Sequence, residues 1–405
     1  MSVPKLRFPE FAGAWHQTRL GKRVTKVGSG ITPKGGAGVY QSEGIPLIRS
    51  QNVRDSMLDL SNVAFISDEI NATMRGSAVL PNDVLLNITG ASIGRSCVTP
   101  ENLGPANVNQ HVCIIRLDAD ASPHFLQSFL ASHKGQKLIA EAQSGSGREG
   151  LNFENIRTFK LIFPTLPEQQ KIAAFLGAVD AKLAALAAKQ AALGRFKAGL
   201  MQKLFSQQLR FTRDGGKAFP DWEEKRLGDV AEIIGGGTPD TDVADYWNGA
   251  VVWFTPSEIK KKYLTTSVRK ISESGLSSSS AKMLPVGALV LSTRATVGDV
   301  GIATLPCATN QGFQSLVVKG KNYNEFWYYW LKHNKKALLR RSAGSTFLEI
   351  GKSEVQKIPV EKPHPDEQQK ITAALSAMDA KIQAVADQVS KLAAFKKGLL
   401  QQMFV

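Results

Sequence analysis

Residues 168–183 read EQQKIAAFLGAVDAKL, and residues 367–382 read EQQKITAALSAMDAKI, one pattern written twice at an offset of 199. The match runs on without a gap to Phe196-Lys197-Ala198-Gly199-Leu200 against Phe395-Lys396-Lys397-Gly398-Leu399. Apolar residues recur in both stretches with the 3,4 spacing of a coiled-coil seam. In the first they fall at Ile172, Leu176, Val179, Leu183, Leu186, Leu193 and Leu200, with Gln190 and Lys197 as polar interruptions. In the second they fall at Ile371, Leu375, Met378, Ile382, Val385, Leu392 and Leu399, interrupted at Lys396. Thr165 and Glu168, with Pro167 between them, read as a capping box, and Asp366 and Glu367 favour the positive end of the second helix. Each predicted helix has about 37 residues and a length of roughly 55 Å.

Two self-complementary stripes in one chain most simply pair with each other. The first helix ends beside the region from which the second begins, so an antiparallel pair needs no long bridge. Such a pair predicts a mixed region at each end of a rod and an approximate internal two-fold. The expected organisation is a mixed region (1–164), a spacer helix (165–205), a linker containing Gly215-Gly216 (206–218), a second mixed region (219–363) and a C-terminal spacer helix (364–405).

Outside the helices the halves match in landmarks only. Gly30-Ile31-Thr32-Pro33 answers Gly236-Gly237-Thr238-Pro239, and Asn109-Gln110 answers Asn310-Gln311. The run Pro46–Asn52 answers Val252–Glu258, and Leu80–Gly90 answers Leu284–Arg294. Short apolar runs with Gly/Pro turns, followed by amphipathic stretches, predict an α+β class for each region. A scaffold that keeps its turns while exchanging loop residues is suited to reading two different short sequences. At matched places Arg49-Ser50-Gln51-Asn52 faces Thr255-Pro256-Ser257-Glu258, and Asn87, Thr89 and Gly90 face Ser292, Thr293 and Arg294.

The net charge of +15 and pI near 9.6 favour a polyanionic partner. Arg, Asn, Gln and Glu are the side chains suited to base edges, and Lys and Arg to phosphates. The candidate DNA-contacting set is therefore Thr32, Lys34, Arg49, Gln51, Asn52, Asn87, Thr89, Arg95, Asn109, Gln110 and Arg148 in the first region. In the second it is Thr238, Thr255, Ser257, Glu258, Lys260, Lys261, Thr293, Arg294, Asn310, Gln311 and Lys332. Lys22, Arg23, Lys26, Arg54, Arg269 and Lys270 add further positive charge. The scattered Cys97, Cys113 and Cys307 fit reduced thiols, Met1 to Glu10 carries no apolar run of a signal peptide, and no membrane span is apparent; a cytoplasmic chain is expected.

With its doubled E-Q-Q-K-I helix starts and the pairs Thr32-Pro33 and Thr238-Pro239, nearly the whole chain resembles the specificity subunit of type I restriction–modification systems. The resemblance implies two target-recognition domains, each binding one half of a bipartite duplex DNA target, and an antiparallel coiled coil that sets the spacer. It implies two modification subunits that methylate adenine with S-adenosylmethionine, and restriction subunits that use ATP and Mg. No cofactor or metal is expected on this chain itself. The first domain departs from the pattern in carrying Gly28-Ser29-Gly30-Ile31 before Thr32, where the second has Gly235–Gly237.

The residues argue against catalysis by the chain alone. It lacks the Asn/Asp-Pro-Pro-aromatic tetrapeptide of amino-methyltransferases and the phosphate-cradling G-x-x-x-x-G-K-[ST] loop. Its histidines, among them His111, His124 and His333, show no ligand spacing. The competing readings are a coiled-coil adaptor joining two domains that do not bind DNA, a nuclease or methyltransferase with an unrecognised site, and a methyltransferase specificity subunit without a nuclease.

Overall fold

The long helices form where the seam predicts them, at Leu166–Phe205 and Pro365–Met403, with 40 and 39 residues. The computed structural model describes residues 3–143, 150–342 and 349–404. It divides into two compact units: Met1–Lys189 with Val385–Val405, and Gln190–Ala384. The division falls within the long helices rather than at their ends, so each unit holds one portion of each helix.

In the first unit the central sheet has the order Val24–Ser29, Val112–Leu117, Val84–Asn87, Ser96–Val98, all antiparallel. A second sheet sets Ile45–Ile48 between Ala64–Ile66 and Asn107–Val108, the last pair being parallel. The run Val84-Leu85-Leu86 is continuously apolar because both faces of the sheet are covered. Val84 and Leu86 join the core beneath helix Pro123–Ala131, whereas Leu85 joins a separate core with Ile48, Val108 and Ile114. Alternate side chains of a strand point to opposite faces, so a doubly covered strand needs apolar residues at every position.

The second unit repeats this order with Ala231–Gly235, Gln314–Val318, Leu289–Leu291 and Val300–Ala303, and adds Tyr263–Leu264 at the edge. Its second sheet sets Trp247–Phe254 between Arg269–Ile271 and Cys307–Thr309. Leu289 and Leu291 face the core shared with helix Asn324–His333, and Val290 faces the other. The internal repeat is thus a repeat of topology, not only of helix sequence.

Within each unit the portions of the two long helices run antiparallel. In the first, Ile172, Leu176 and Val179 share a core with Leu399, Met403 and Phe404, and Asp180 pairs with Lys396. In the second, Leu204 and Phe205 share a core with Ile371 and Leu375, and Lys197 pairs with Asp379. The lysines that interrupt the seam are therefore partners of the aspartates in the repeated D-A-K, taken crosswise. The seam is also more than helix against helix, because Ile172, Leu176, Ile371 and Leu375 are buried in the core of the globular part beside them.

One local expectation is corrected. Glu168 closes no capping box with Thr165, because its carboxylate is taken by residues far away in sequence. It is almost fully buried, accepts from Arg7 Nε and Nη2 at 2.7 Å each, and accepts from Trp15 Nε1 at 3.2 Å. Glu367, also buried, accepts from Arg210 Nε at 3.1 Å, Arg210 Nη2 at 2.9 Å and Trp222 Nε1 at 3.1 Å. The glutamines that follow clamp backbone. Gln169 accepts from Ser122 N–H and donates to Pro164 O; Gln368 accepts from Tyr323 N–H and donates to Pro363 O. These contacts give the repeated Glu-Gln its role: it bolts each helix start to the mixed domain that precedes it.

The same contacts change the reading of residues 206–218. Arg210 holds Glu367, Leu209 N–H donates to Lys203 O at 3.1 Å, and Thr212 bridges Ala218. Leu6 N–H donates to Gln402 O at 3.0 Å in the matching way. Residues 206–218 thus connect the first long helix to the second mixed region with bonds at Leu209, Arg210 and Thr212, while most of their side chains are exposed.

Candidate nucleic-acid interface

In the first unit the strand ends at Ile48 and Asn87 and the start of the strand at Val112 place their loops together. Arg49, Ser50, Gln51, Ala91, Ser92, Arg95, Asn109 and His111 line a cavity of about 480 Å³. Arg49 stacks over Tyr40, with its guanidinium carbon 5.4 Å from the ring centre, and its Nε is buried with no hydrogen-bond partner. Beneath the cavity Asn87, fully buried, donates to Ser50 O and Ser92 Oγ and leaves its own Oδ1 unpartnered. A buried donor and a buried acceptor without partners are costly, and a ligand that meets them recovers that cost. Thr89 Oγ1 lies 2.6 Å from His111 Nδ1, and His111 Nε2 lies 3.0 Å from Gln110 Nε2.

The loop that carries Thr32 is laid against the Asn109-Gln110 turn. A Cβ on Gly30 would fall 1.7 Å from Val108 O, so only glycine permits the approach. The second unit does the same, where a Cβ on Gly236 would fall 2.0 Å from Asn310 O. The different residues before the two Thr-Pro pairs therefore lead to the same placement. In both units the threonine hydroxyl donates to a glutamine carbonyl, Thr32 to Gln110 and Thr238 to Gln311. The preceding asparagine shapes the turn in both: Asn109 Oδ1 accepts from His111 N–H at 3.1 Å, and Asn310 Oδ1 from Gly312 N–H at 2.9 Å.

Several residues chosen from sequence as DNA contacts are consumed by the fold. Asn52 is buried, accepting from Arg49 N–H and donating to Asp59 O and Asn62 O, which withdraws it from base reading. Glu258 accepts from Thr255 N–H, Thr255 Oγ1 and Val268 N–H, each at 2.7 Å; Thr255 and Glu258 form a helix cap instead of a reading pair. Thr293 is buried and donates to Gly312 O. Lys26, half-buried, donates to Gly76 O, and burial, with Arg116 nearby, pushes its ammonium below the ordinary lysine value. Arg269 stacks on Trp247 at 3.7 Å.

Lys34, Gln51, Arg95, Ser257, Lys260, Lys261, Arg294 and Lys332 are exposed as expected. Arg294 lies 3.6 Å from Glu349, and Gln51 donates to Asn62 O. Arg148 lies outside the described residues. Sequence reasoning overlooked His111 and Tyr40, and it overlooked Arg7, Trp15, Arg210 and Trp222. For the last four a signal existed: Leu6-Arg7-Phe8 recurs as Leu209-Arg210-Phe211, each ahead of a tryptophan.

Other chemistry finds little support. Cys97, Cys113 and Cys307 are buried, and burial pushes their thiols up to about 12, away from nucleophilic use. Among the described residues no group of three or more His, Cys, Asp or Glu is placed to hold a metal ion, and no helix is long and apolar enough to cross a membrane.

Comparison with known proteins gives consistent likenesses. Residues 22–195 and 220–392 each match the family described as type I restriction modification DNA specificity domain. Over 171 residues the chain is 36% identical to the specificity subunit of the type I restriction enzyme MjaIX of Methanocaldococcus jannaschii, covering 41% of this chain and 40% of that one. The chain thus spans less than half the length of that relative. It is 24% identical over 357 residues to the HindI specificity subunit of Haemophilus influenzae, covering 71% of this chain and 78% of that one. Among solved structures, the type I restriction–modification S subunit from M. genitalium shares the fold with a TM-score of 0.60 at 16% identity, covering 100% and 99% of the two chains.

Proposed function

Because this chain belongs to the family of type I restriction–modification DNA specificity subunits, we propose that each of its two repeats reads one half of a bipartite duplex DNA target. A specificity subunit is the recognition component of its system and not its catalyst. The observation that carries the half-site reading is one topology present twice with different residues at the same loop places. Arg49, Asn87 and His111 in the first unit stand where the second has Thr255, Ser292 and Gly312, and Gly90 stands where the second has Arg294. The long helices set the spacer between half-sites, and the chain docks modification subunits, through which restriction subunits join. On this reading S-adenosylmethionine and ATP with Mg are held by those partners.

Two measurements test this. The purified chain should bind duplex DNA with an affinity that falls by on the order of a thousandfold between about 50 and 200 mM salt. Affinity insensitive to salt would favour an adaptor that does not bind DNA. Inserting four residues, roughly 6 Å of helix, at matched places in both long helices should change the preferred spacer and keep both half-sequences. A changed half-sequence with an unchanged spacer would overturn the ruler.

A further inference from the structure

We infer that Gln110 and Gln311 are phosphate contacts, presenting amide N–H donors to the DNA backbone, and that neither reads a base. The inference rests on the DNA reading above and assigns a role within it. Glutamine discriminates adenine by offering an acceptor and a donor together to N6 and N7. In both units the acceptor is already taken, by Thr32 Oγ1 in the first and Thr238 Oγ1 in the second. The oxygen keeps a second lone pair, but the threonine bond fixes the amide and competes with bidentate pairing, while at least one N–H of the exposed side chain stays available.

The recurrence narrows the ligand further. Two domains with different reading residues keep this one exposed side-chain pair, each on a loop held by a glycine that no other residue could replace without collision. A contact preserved while the sequence being read changes must meet something both half-sites share. On duplex DNA the phosphate oxygens are present at every step whatever the bases, and they accept hydrogen bonds from neutral amides. The neighbouring charge is not shared, since Lys34 follows the first Thr-Pro and Asp240 the second. The oriented amide itself is the common element. In the first unit one amide hydrogen is directed at His111 Nε2, which leaves the other for the phosphate.

The test uses the full chain with Gln110→Ala, Gln311→Ala, Gln110→Glu and Gln311→Glu. Glutamate keeps an acceptor for the threonine but replaces the outward donor with negative charge. Each alanine variant should bind a random-sequence duplex pool about threefold to tenfold more weakly, with the slope of affinity against salt unchanged, because a neutral donor displaces no counterion. Each glutamate variant should lose more. The sequences recovered from the pool should be those recovered with the unaltered chain. A methylphosphonate at the contacted position should abolish the penalty of the alanine change. A variant that alters the preferred base at one position, or binds as tightly as the unaltered chain, overturns the phosphate assignment alone. If the unaltered chain recovers no sequence and shows no salt-dependent binding, the DNA reading itself fails and the assignment falls with it.

Discussion

Replacing residues 219–363 with the equivalent segment of a relative is expected to exchange one half of the DNA target and leave the other half and the spacer in place. The junctions favour this. Gln368 holds the second domain through Tyr323 N–H and Pro363 O, backbone groups that any graft supplies. Glu367 needs one tryptophan from the graft, in the place of Trp222, while its arginine, Arg210, lies before the junction and stays. Part of the contact is particular to the native domain. Lys262 Nζ reaches Glu325 at 2.8 Å, Tyr329 Oη at 3.1 Å and Ser376 Oγ at 3.1 Å, and Tyr329 donates to Asp379 at 2.6 Å. Burial acts to raise the Glu325 carboxyl, but the bonds from Lys262 and Tyr263 outweigh it and hold the group below its ordinary value. Matching these side chains should preserve stability, with little bearing on which bases are read. The readout is sequencing of methylated adenines in cells carrying native or exchanged chain with the modification subunits. Replacement of both halves of the motif would contradict two independent readers.

The second large effect is on stability. Glu168→Ala leaves the Arg7 guanidinium and the Trp15 N–H facing a vacated site, and Glu367→Ala does the same to Arg210 and Trp222. Hydrogen bonding to the glutamates pushes both arginines further above the ordinary arginine value, so their charge persists at any working pH. The arginines are part-buried and keep the carbonyls of Gly13 and Pro220, so removing the buried glutamate costs less than breaking a fully buried pair, about 2–3 kcal/mol. Hydrogen exchange should show it. The amides at the start of the affected long helix should lose protection by roughly one and a half to two orders of magnitude, each tenfold step being about 1.4 kcal/mol. Glu168→Gln and Glu367→Gln keep the shape and one acceptor and should lose clearly less. A loss below about 1 kcal/mol, typical of an exposed pair, would mean that the lock does not hold the helix start.

What the sequence by itself determined is everything governed by short-range periodicity. The seam positions from Ile172 to Leu200 and from Ile371 to Leu399 all turn inward, because a 3,4 spacing places them on one helical face whatever else the chain does. The strands at Val84 and Leu289 and the glycine turns before Thr32 and Thr238 were legible for the same reason. The tertiary structure alone decided how the polar residues are used. Asn52 and Gln51 are neighbours of similar chemistry, yet one is buried as an internal brace and the other is exposed. Glu258 reads from sequence as a base contact and is a cap, and Glu168 reads as a cap and is the anchor of Arg7, 161 residues away. A polar side chain takes whichever partner the fold brings within about 3 Å, and helix or strand periodicity does not name partners that lie far along the chain.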